Sequence, residues 1–128
     1  MSLSIFDEQQ AINPIATIAL ADGTTPVSLV QAPARGLRLD QLTLTNADTI
    51  AHDVQITIFT GATAVLGTVA VPAGAGMSAA VPAVDAIPIL APVLAGVVVA
   101  NGASVYVAVL VAMTAAGDLQ ALGLGGTF

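Results

Sequence analysis

The sequence of 128 residues contains no cysteine, no lysine and no tryptophan, and these absences exclude several classes of protein. Without cysteine the chain can form neither a disulfide framework nor a thiolate metal site. Arg35 and Arg38 are the only arginines. Phosphate backbones are bound by clusters of lysine and arginine, so we expect no nucleic-acid partner. Eight acidic residues give a net charge of −6.

Charge of either sign is scarce in this chain. Charged residues make up 8% of the sequence and hydrophobic residues 56%, whereas an average soluble protein has roughly 25% charged residues. A folded monomer of this mass exposes on the order of 6,200 Å². The few charged side chains cannot cover such a surface. We therefore expect small residues to cover part of it and contacts with other protein molecules to cover much of the rest.

A long uncharged stretch, residues 86–113, could suggest a membrane-spanning helix. Pro88, Pro92 and Gly96 interrupt it, and Asn101-Gly102 divides it. Spanning helices need about 20 apolar residues in an unbroken run, and Asn-Gly between apolar runs is typical of a hairpin turn. The residues on either side are mostly valine, which favours strands. We expect two strands joined by a turn, and no membrane partner.

Short β-like runs separated by turn residues follow one another from Ile15 onward. The predicted runs cover residues 15–20, 27–31, 37–39 with 42–45, 54–60, 65–71, 77–84, 93–100, 104–113 and 119–124. Seven to nine short antiparallel strands at this spacing predict an all-β, single-domain β-sandwich or jelly roll over residues 15–128. Residues 1–14 are predicted to form an N-terminal arm. No helix longer than two turns is expected.

Two local features refine this prediction. The alternation of leucines changes phase at Asp40-Gln41, which indicates a β-bulge there. The glycine-rich segments 74–76 and 123–126 lack the strand, helix and lysine of a phosphate loop, so we interpret them as turns or flexible ends.

Catalytic and metal-binding patterns are missing from the sequence. His52 is the only histidine, it lies next to Asp53, and no nucleophile-elbow motif accompanies it. We interpret it as a solvated loop residue or an interface contact. A single histidine excludes the usual multi-histidine metal sites, and no closely spaced aspartates resemble a calcium loop. We therefore expect no catalytic residue, no metal and no cofactor, and we predict that the chain is not an enzyme.

Four aromatic residues are present, and three of them are candidates for contact with other proteins. Ile5 and Phe6 on the arm could hook into a neighbouring subunit, and Phe59 is out of phase with the apolar residues of its strand. With the terminal Phe128, these form the predicted interface set. Together with Tyr106 the aromatics are too few and too dispersed in sequence to predict a platform for sugars or bases.

One part of the sequence resembles a known group of proteins. Residues 42–58, LTLTNADTIAHDVQITI, are similar to a pattern of tailed-phage virion proteins. In that pattern a strand ends in Thr-Asn, crosses a short polar loop and returns as an alternating Val/Ile/Thr strand. Residues 71–74 and 97–102, with the valine-rich run after them, look similar too. The opening residues 5–12 resemble the start of some capsid cement proteins.

This resemblance implies a jelly roll or related sandwich, usually trimeric, that clamps the outside of a capsid where major capsid proteins meet. The implied partners are the major capsid protein and further copies of the chain. The implied location is the outer capsid surface of the virion, after synthesis in the host cytoplasm. The alternatives are another phage component, such as a neck, baseplate or fibre-attachment protein, and a module that binds sugars or a host-surface receptor.

Overall fold

The computed structural model describes residues 10–90 and 97–128, which form two antiparallel β-sheets. Ten strands lie in this part of the chain, slightly more than the seven to nine expected. The predicted all-β class is confirmed, and the paired sheets are consistent with a β-sandwich.

Four strands form one sheet, and valine and isoleucine dominate its two central members. The order across the sheet is β3 (Val27–Gln31), β9 (Ser104–Val109), β5 (His52–Phe59) and β6 (Thr63–Val71). Because successive side chains of a strand point to opposite faces, one face of this sheet is buried and the other is turned outward.

Six strands form the second sheet, with two long strands at its centre. These are β10 (Leu119–Thr127) and β4 (Leu37–Asn46). The free side of β10 pairs with β1 (Ala11–Ile12) and β2 (Ile15–Ile18). The free side of β4 pairs with β7 (Val84–Asp85) and β8 (Val97–Val99).

The helical content of the described residues is confined to two short elements, as the sequence predicted. One is a 3₁₀ helix at Leu20–Asp22 and the other is α1 (Ile87–Leu90). Neither helix is longer than about one turn.

Aliphatic side chains fill the space between the sheets. The largest fully buried side chains are Ile18, Leu37, Leu39, Leu42, Leu44, Ile56, Met113 and Leu119. Burying one such side chain stabilises a fold by about 1.5–3 kcal/mol, so this layer is the main source of stability.

The β-bulge predicted at Asp40-Gln41 is confirmed. Leu124 of β10 pairs with Gln41, and the next residue, Gly125, pairs with Leu39, so Asp40 is the extra residue on β4. The bulge restores the phase of the strand, because Leu39 before it and Leu42 after it are both buried.

The hairpin predicted at Asn101-Gly102 is wrong, although the turn is present. Gly102 has φ +73°, and the Ala103 N–H donates to the Ala100 carbonyl at 3.0 Å. Strand β8 before the turn pairs with β4, however, and β9 after it pairs with β3 and β5 in the other sheet. The turn carries the chain between sheets, and local sequence does not reveal which partner a strand chooses.

The strand predicted over residues 77–84 is also wrong. Consecutive turns occupy this region, with the Ala75 N–H bonded to the Pro72 carbonyl and the Met77 N–H to the Gly74 carbonyl. Extended pairing is limited to a single bridge between Ser78 and Val81 and to the two residues of β7.

The glycine-rich segment 123–126 was predicted to be a turn or flexible end, and this is wrong because it lies inside β10. A Cβ on Gly125 would lie 1.9 Å from the Arg38 carbonyl oxygen, and one on Gly123 would lie 2.8 Å from the Pro14 ring. Neighbouring segments of the same chain approach β10 too closely at these two positions to leave room for a side chain. Glycine therefore allows the close packing.

The predicted arm, residues 1–14, is described only from Gln10 onward. Ala11 and Ile12 pair with Gly126 and Gly125 of β10, and the Thr127 N–H donates to the Gln10 carbonyl at 2.9 Å. This part of the predicted arm is therefore an edge of the six-stranded sheet.

Candidate functional site

The outward side of the four-stranded sheet is almost free of charge. Its buried side carries Val105, Val107 and Val109, so the alternate residues point outward. We call the outward set the uncharged face: Ser28, Gln31, Gln55, Thr57, Phe59, Thr63, Val65, Thr68, Ser104, Tyr106 and Ala108. The exposed Asp53, which pairs with Ala70, lies at the margin of this face.

Strand pairing places these residues in rows. Thr57 pairs with Tyr106 on one side and with Val65 on the other. Phe59, in the next row, pairs with Ser104 and Thr63. Phe59 and Tyr106 are therefore diagonal neighbours on adjacent strands, at a spacing that aromatic side chains can bridge.

A shallow hollow of about 260 Å³ lies between the two aromatic rings. Its walls are Pro26, Thr57, Phe59, Thr63 and Tyr106. Phe59 remains 43% exposed and Val65 56% exposed, which is unusual for large apolar side chains in such a cluster. Exposed aromatic and aliphatic groups next to hydroxyl groups, without charge, are characteristic of the centre of a protein contact.

Sequence reasoning identified Phe59 but missed Tyr106. The aromatics were expected to be dispersed, and for these two residues that is wrong because β5 and β9 are neighbours. The signal that could have found Tyr106 is the alternation of the valines around it, which turns it away from the core.

The other predicted interface residues lie elsewhere. Phe128 is 41% exposed at the end of β10, where its N–H donates to the Gly36 carbonyl at 3.2 Å. It belongs to the six-stranded sheet, so the structure does not bring it to Phe59. Ile5 and Phe6 lie outside the described residues. The interface role of all four stays a prediction.

The outward side of the six-stranded sheet differs in chemistry. Arg38 and Asp40 form an ion pair at 2.7 Å, with both side chains about half exposed, and Gln41 donates to the Thr43 hydroxyl at 3.1 Å. We call this the charged face. A hollow of about 360 Å³ adjoins it, lined by Gln10, Arg38, Asp40 and the last residues of β10.

A buried polar network ties the two sheets together at one end of the sandwich. It consists of Asn46 at the end of β4, Asp48 in the following loop, His52 at the start of β5 and Thr114 after β9. Asn46, Asp48 and His52 are each at most 2% exposed. The prediction that His52 is a solvated loop residue or interface contact is therefore wrong.

Asp48 is the centre of this network. One carboxylate oxygen accepts from His52 Nε2 at 2.8 Å and from the Thr114 N–H at 2.9 Å. The other accepts from the Thr114 hydroxyl and from the Thr49 N–H. These donors hold the pKa of Asp48 far below its ordinary value, with the Thr114 hydroxyl contributing most and burial opposing the shift.

The remaining members of the network are satisfied in the same way. Asn46 Nδ2 donates to the carbonyls of Ile50 and Pro72, while its Oδ1 accepts from the Asp48 N–H. His52 Nδ1 faces the Val111 carbonyl at 3.1 Å. Both ring nitrogens thus face oxygen atoms. These contacts join the loop before β5 to the segment after β9, so the arrangement is suited to fastening loops.

Two other kinds of site are absent from the described part of the chain. No group of three acidic, histidine or cysteine side chains lies close enough to hold a metal ion. None of the helices in residues 10–90 and 97–128 is long and apolar enough to cross a membrane. Comparison with protein-family models, with curated proteins and with solved structures finds no match.

Proposed function

We propose that this chain is a structural protein of a tailed-phage particle that decorates the outer surface of the capsid. In this role it binds the major capsid protein and stabilises the junctions between capsid subunits. The observation that carries the proposal is the uncharged face, with Phe59 and Val65 exposed and Tyr106 half-buried next to Phe59. A permanent partner is the simplest reason for a folded domain to present such a surface.

The side chains of this face are better suited to contact a protein surface than to contact water. Thr57 and Thr63 offer hydroxyl groups between the two rings, so a partner can fill the hollow with apolar atoms and still find hydrogen bonds at its wall. Contacts of this kind concentrate binding energy in a few aromatic residues surrounded by near-neutral neighbours. Tyr106 and Phe59 would be those residues.

Charge supports the outer rather than the inner side of the shell. With a net charge of −6 and no lysine, the chain would be repelled by packaged DNA. The charged face, with the Arg38–Asp40 pair, is suited to remain in solvent while the uncharged face is covered.

The resemblance to phage virion proteins adds a separate argument. Its most specific part, residues 42–58, contains Asn46, Asp48 and His52, and these side chains form the buried network that joins the sheets. The polar loop in the pattern thus has a structural use in this chain. The trimer that the resemblance implies remains part of the proposal.

The test is the copy number and position of the chain in particles. We would quantify it against the most abundant shell subunit by mass spectrometry, and locate it with antibodies and electron microscopy. A decoration protein is expected in numbers comparable to the shell subunits, over the whole capsid, and its removal should lower the temperature at which particles open. A few copies at one vertex would instead identify a neck, baseplate or fibre-attachment protein. Absence from particles would overturn both.

One observation favours a second candidate, a module that binds sugars. The hollow between Phe59 and Tyr106 combines aromatic rings with the hydroxyls of Thr57 and Thr63, a combination that suits a sugar ring. The chain has one tyrosine and no tryptophan, so its fluorescence reports on Tyr106 alone. A saturable change in that emission on titration with monosaccharides and oligosaccharides would support this candidate, and no change would exclude it for the sugars tested.

A further inference from the structure

The Asn101-Gly102 pair lies in a turn outside the uncharged face. The turn carries the chain from β8 to β9, and both residues are exposed. An asparagine side chain can close a ring with the backbone nitrogen of the next residue, and glycine obstructs this approach least because it has no side chain. A Cβ on Gly102 would meet no atom within 4 Å, so there is also room for the ring.

Two hydrogen bonds hold the pair in place. The Ala103 N–H donates to the Ala100 carbonyl at 3.0 Å, and with a positive φ at Gly102 but not at Asn101 this makes a type II turn. The Gly102 N–H donates to the Ala32 carbonyl at 3.2 Å, which is long for such a bond. The nitrogen is therefore released when one exposed turn opens, and local opening of this kind costs far less than global unfolding.

We propose that Asn101 is a site of spontaneous modification, at which water converts the asparagine to aspartate and isoaspartate. The Gly102 nitrogen loses its proton to solvent and bonds to the side-chain carbonyl carbon of Asn101, and the amide nitrogen leaves as ammonia. The resulting succinimide ring then takes up one water molecule. Opening at the side-chain carbonyl gives aspartate, and opening at the main-chain carbonyl gives isoaspartate. The sum is asparagine plus water giving an acid and ammonia.

The two other asparagines of the sequence are hindered, each in a different way. Asn13 is exposed, but Pro14 follows it, and proline has no N–H with which to attack. Asn46 is fully buried, and two carbonyls hold its side-chain nitrogen. The N–H that follows Asn46 donates to the Asp118 carbonyl at 2.9 Å. The chain therefore contains its own controls, one blocked by chemistry and one by burial.

The modified chain differs from the original in charge and in the length of the turn. Either acid adds one negative charge to a net charge of −6. Isoaspartate also routes the backbone through the former side chain, which lengthens a turn fastened to Ala32. The new carboxylate lies three residues before Ser104, which pairs with Phe59, and three residues span at most about 11 Å. Modification thus places a charge near the Phe59 end of the uncharged face.

The first test follows the purified, folded chain over several weeks in mildly alkaline buffer made with water enriched in a heavy oxygen isotope. Peptide mapping by mass spectrometry measures conversion at each asparagine separately. We expect Asn101 to convert at least about tenfold faster than Asn13 and Asn46, with labelled oxygen incorporated and with both aspartate and isoaspartate as products. Equal rates at the three positions, or aspartate as the only product, would overturn the proposal.

The second test uses two variants that keep the amide group. Asn101→Gln requires a larger ring, so formation of the more acidic form of the chain, measured by ion-exchange chromatography, should slow at least about fivefold. Asn13→Gln is the matched control at another exposed asparagine, and its rate should stay within about twofold of the wild type. The same rate of acidification in both variants would show that the charge arises elsewhere in the chain.

Denaturant provides a check that depends on no variant. Unfolding should accelerate conversion at Asn46 more than at Asn101, because the buried position becomes reactive only on global unfolding whereas the turn already opens locally. Equal acceleration of the two positions would show that the turn is held as firmly as the core, and would contradict the proposal.

The two proposals fail separately, because the modification needs only the turn and water. Conversion at Asn101 in a chain that is absent from particles would leave this inference standing and refute the capsid role. A chain that is abundant on capsids but keeps Asn101 intact under the conditions of the first test would do the reverse.

Discussion

The two outward sheet faces of this molecule share one apolar core but differ in what they present. The charged face carries the Arg38–Asp40 ion pair and exposed glutamines, together with exposed Ile15 and Val98. The uncharged face carries Phe59, Val65 and Tyr106 among serine, threonine and glutamine side chains. Two of the few charged residues, Arg38 and Asp40, lie together on the charged face, whereas the centre of the uncharged face has no charged residue.

Under the proposed function, the two faces have different environments on the capsid. Burying a charge without a partner is costly, whereas burying apolar and hydroxyl groups against a complementary surface is favourable. The uncharged face is therefore the one suited to be covered. Four changes test the contrast, and they are given in order of decreasing effect.

The largest effect is expected from removing both aromatic rings. The double variant Phe59→Ala, Tyr106→Ala should bind capsids at least about 100-fold more weakly, because aromatic residues at the centre of a contact each contribute about 2 kcal/mol or more. The matched control is Ile15→Ala, Val98→Ala, which removes apolar groups that are as exposed on the other sheet. It should bind within about twofold of the wild type, judged by a titration of capsids. Equal losses in the two double variants would show that the faces do not differ in function.

The second effect concerns the buried polar network around Asp48, which joins the two sheets. Asp48→Ala leaves the buried His52 Nε2 without its acceptor, and it also removes the acceptor of the N–H groups of half-buried Thr114 and exposed Thr49. We expect the melting temperature to fall by roughly 10 °C, as for other buried donors left unpaired.

The control for this change is Asp53→Ala, which removes the same group from an exposed position a few residues away. It should change the melting temperature by no more than about 2 °C. Similar values for the two variants, measured by circular dichroism, would mean that the network adds little to stability.

The third effect is a dependence on acid. The lowered pKa of Asp48, due first to the Thr114 hydroxyl, means that the unfolded chain takes up a proton before the folded chain does. The stabilisation is therefore complete above the ordinary pKa of 3.8 and is lost as pH falls below it. The melting temperature of the wild type should drop by several degrees between about pH 5 and pH 2.

Two variants isolate the Asp48 contribution to this acid dependence. Asp48→Asn should be less stable at neutral pH and less sensitive to acid, because the titrating group is gone. Thr114→Val removes the strongest donor to Asp48. Its stability at neutral pH and its sensitivity to acid should both lie between those of Asp48→Asn and those of the wild type. The same slope of melting temperature against pH in all three proteins would contradict the role given to Asp48.

The smallest effect is expected on the charged face. Arg38 and Asp40 are 52% and 46% exposed, and exposed ion pairs contribute about 0–1 kcal/mol. Arg38→Ala should lower the melting temperature by no more than about 2 °C and leave capsid binding unchanged. A strong loss of capsid binding would show that the charged face, and not the uncharged face, makes the contact with the capsid.

Features set by neighbouring residues were predicted well from the sequence. The bulge at Asp40 followed from a change of phase among the leucines of one strand, and the pairing of β10 with β4 confirms it. The turn at Asn101-Gly102 followed from the same kind of local signal. Local alternation and turn residues act over a few positions, so one sequence contains the whole signal.

Features that depend on distant partners were not predicted. The sheet change after Asn101-Gly102 depends on β9 lying between β3 and β5, and the meeting of Phe59 with Tyr106 depends on the same arrangement. His52 was taken for a solvated residue because its loop is polar, yet it is buried between the Val111 carbonyl, far along the chain, and Asp48, which Thr114 holds in place. Pairing of this kind is decided by the whole fold.

The most direct test is hydroxyl-radical footprinting of the free chain and of assembled particles, read residue by residue by mass spectrometry. Ile15 on the six-stranded sheet is 64% exposed and serves as the internal reference. We predict that oxidation of Phe59 and Tyr106 falls at least about fivefold on assembly, as expected for rings that pass from partial exposure to the fully buried centre of a contact, while oxidation of Ile15 changes little. Unchanged oxidation of Phe59 and Tyr106 in particles, or protection of Ile15 instead, would contradict the claim that the uncharged face is the one covered.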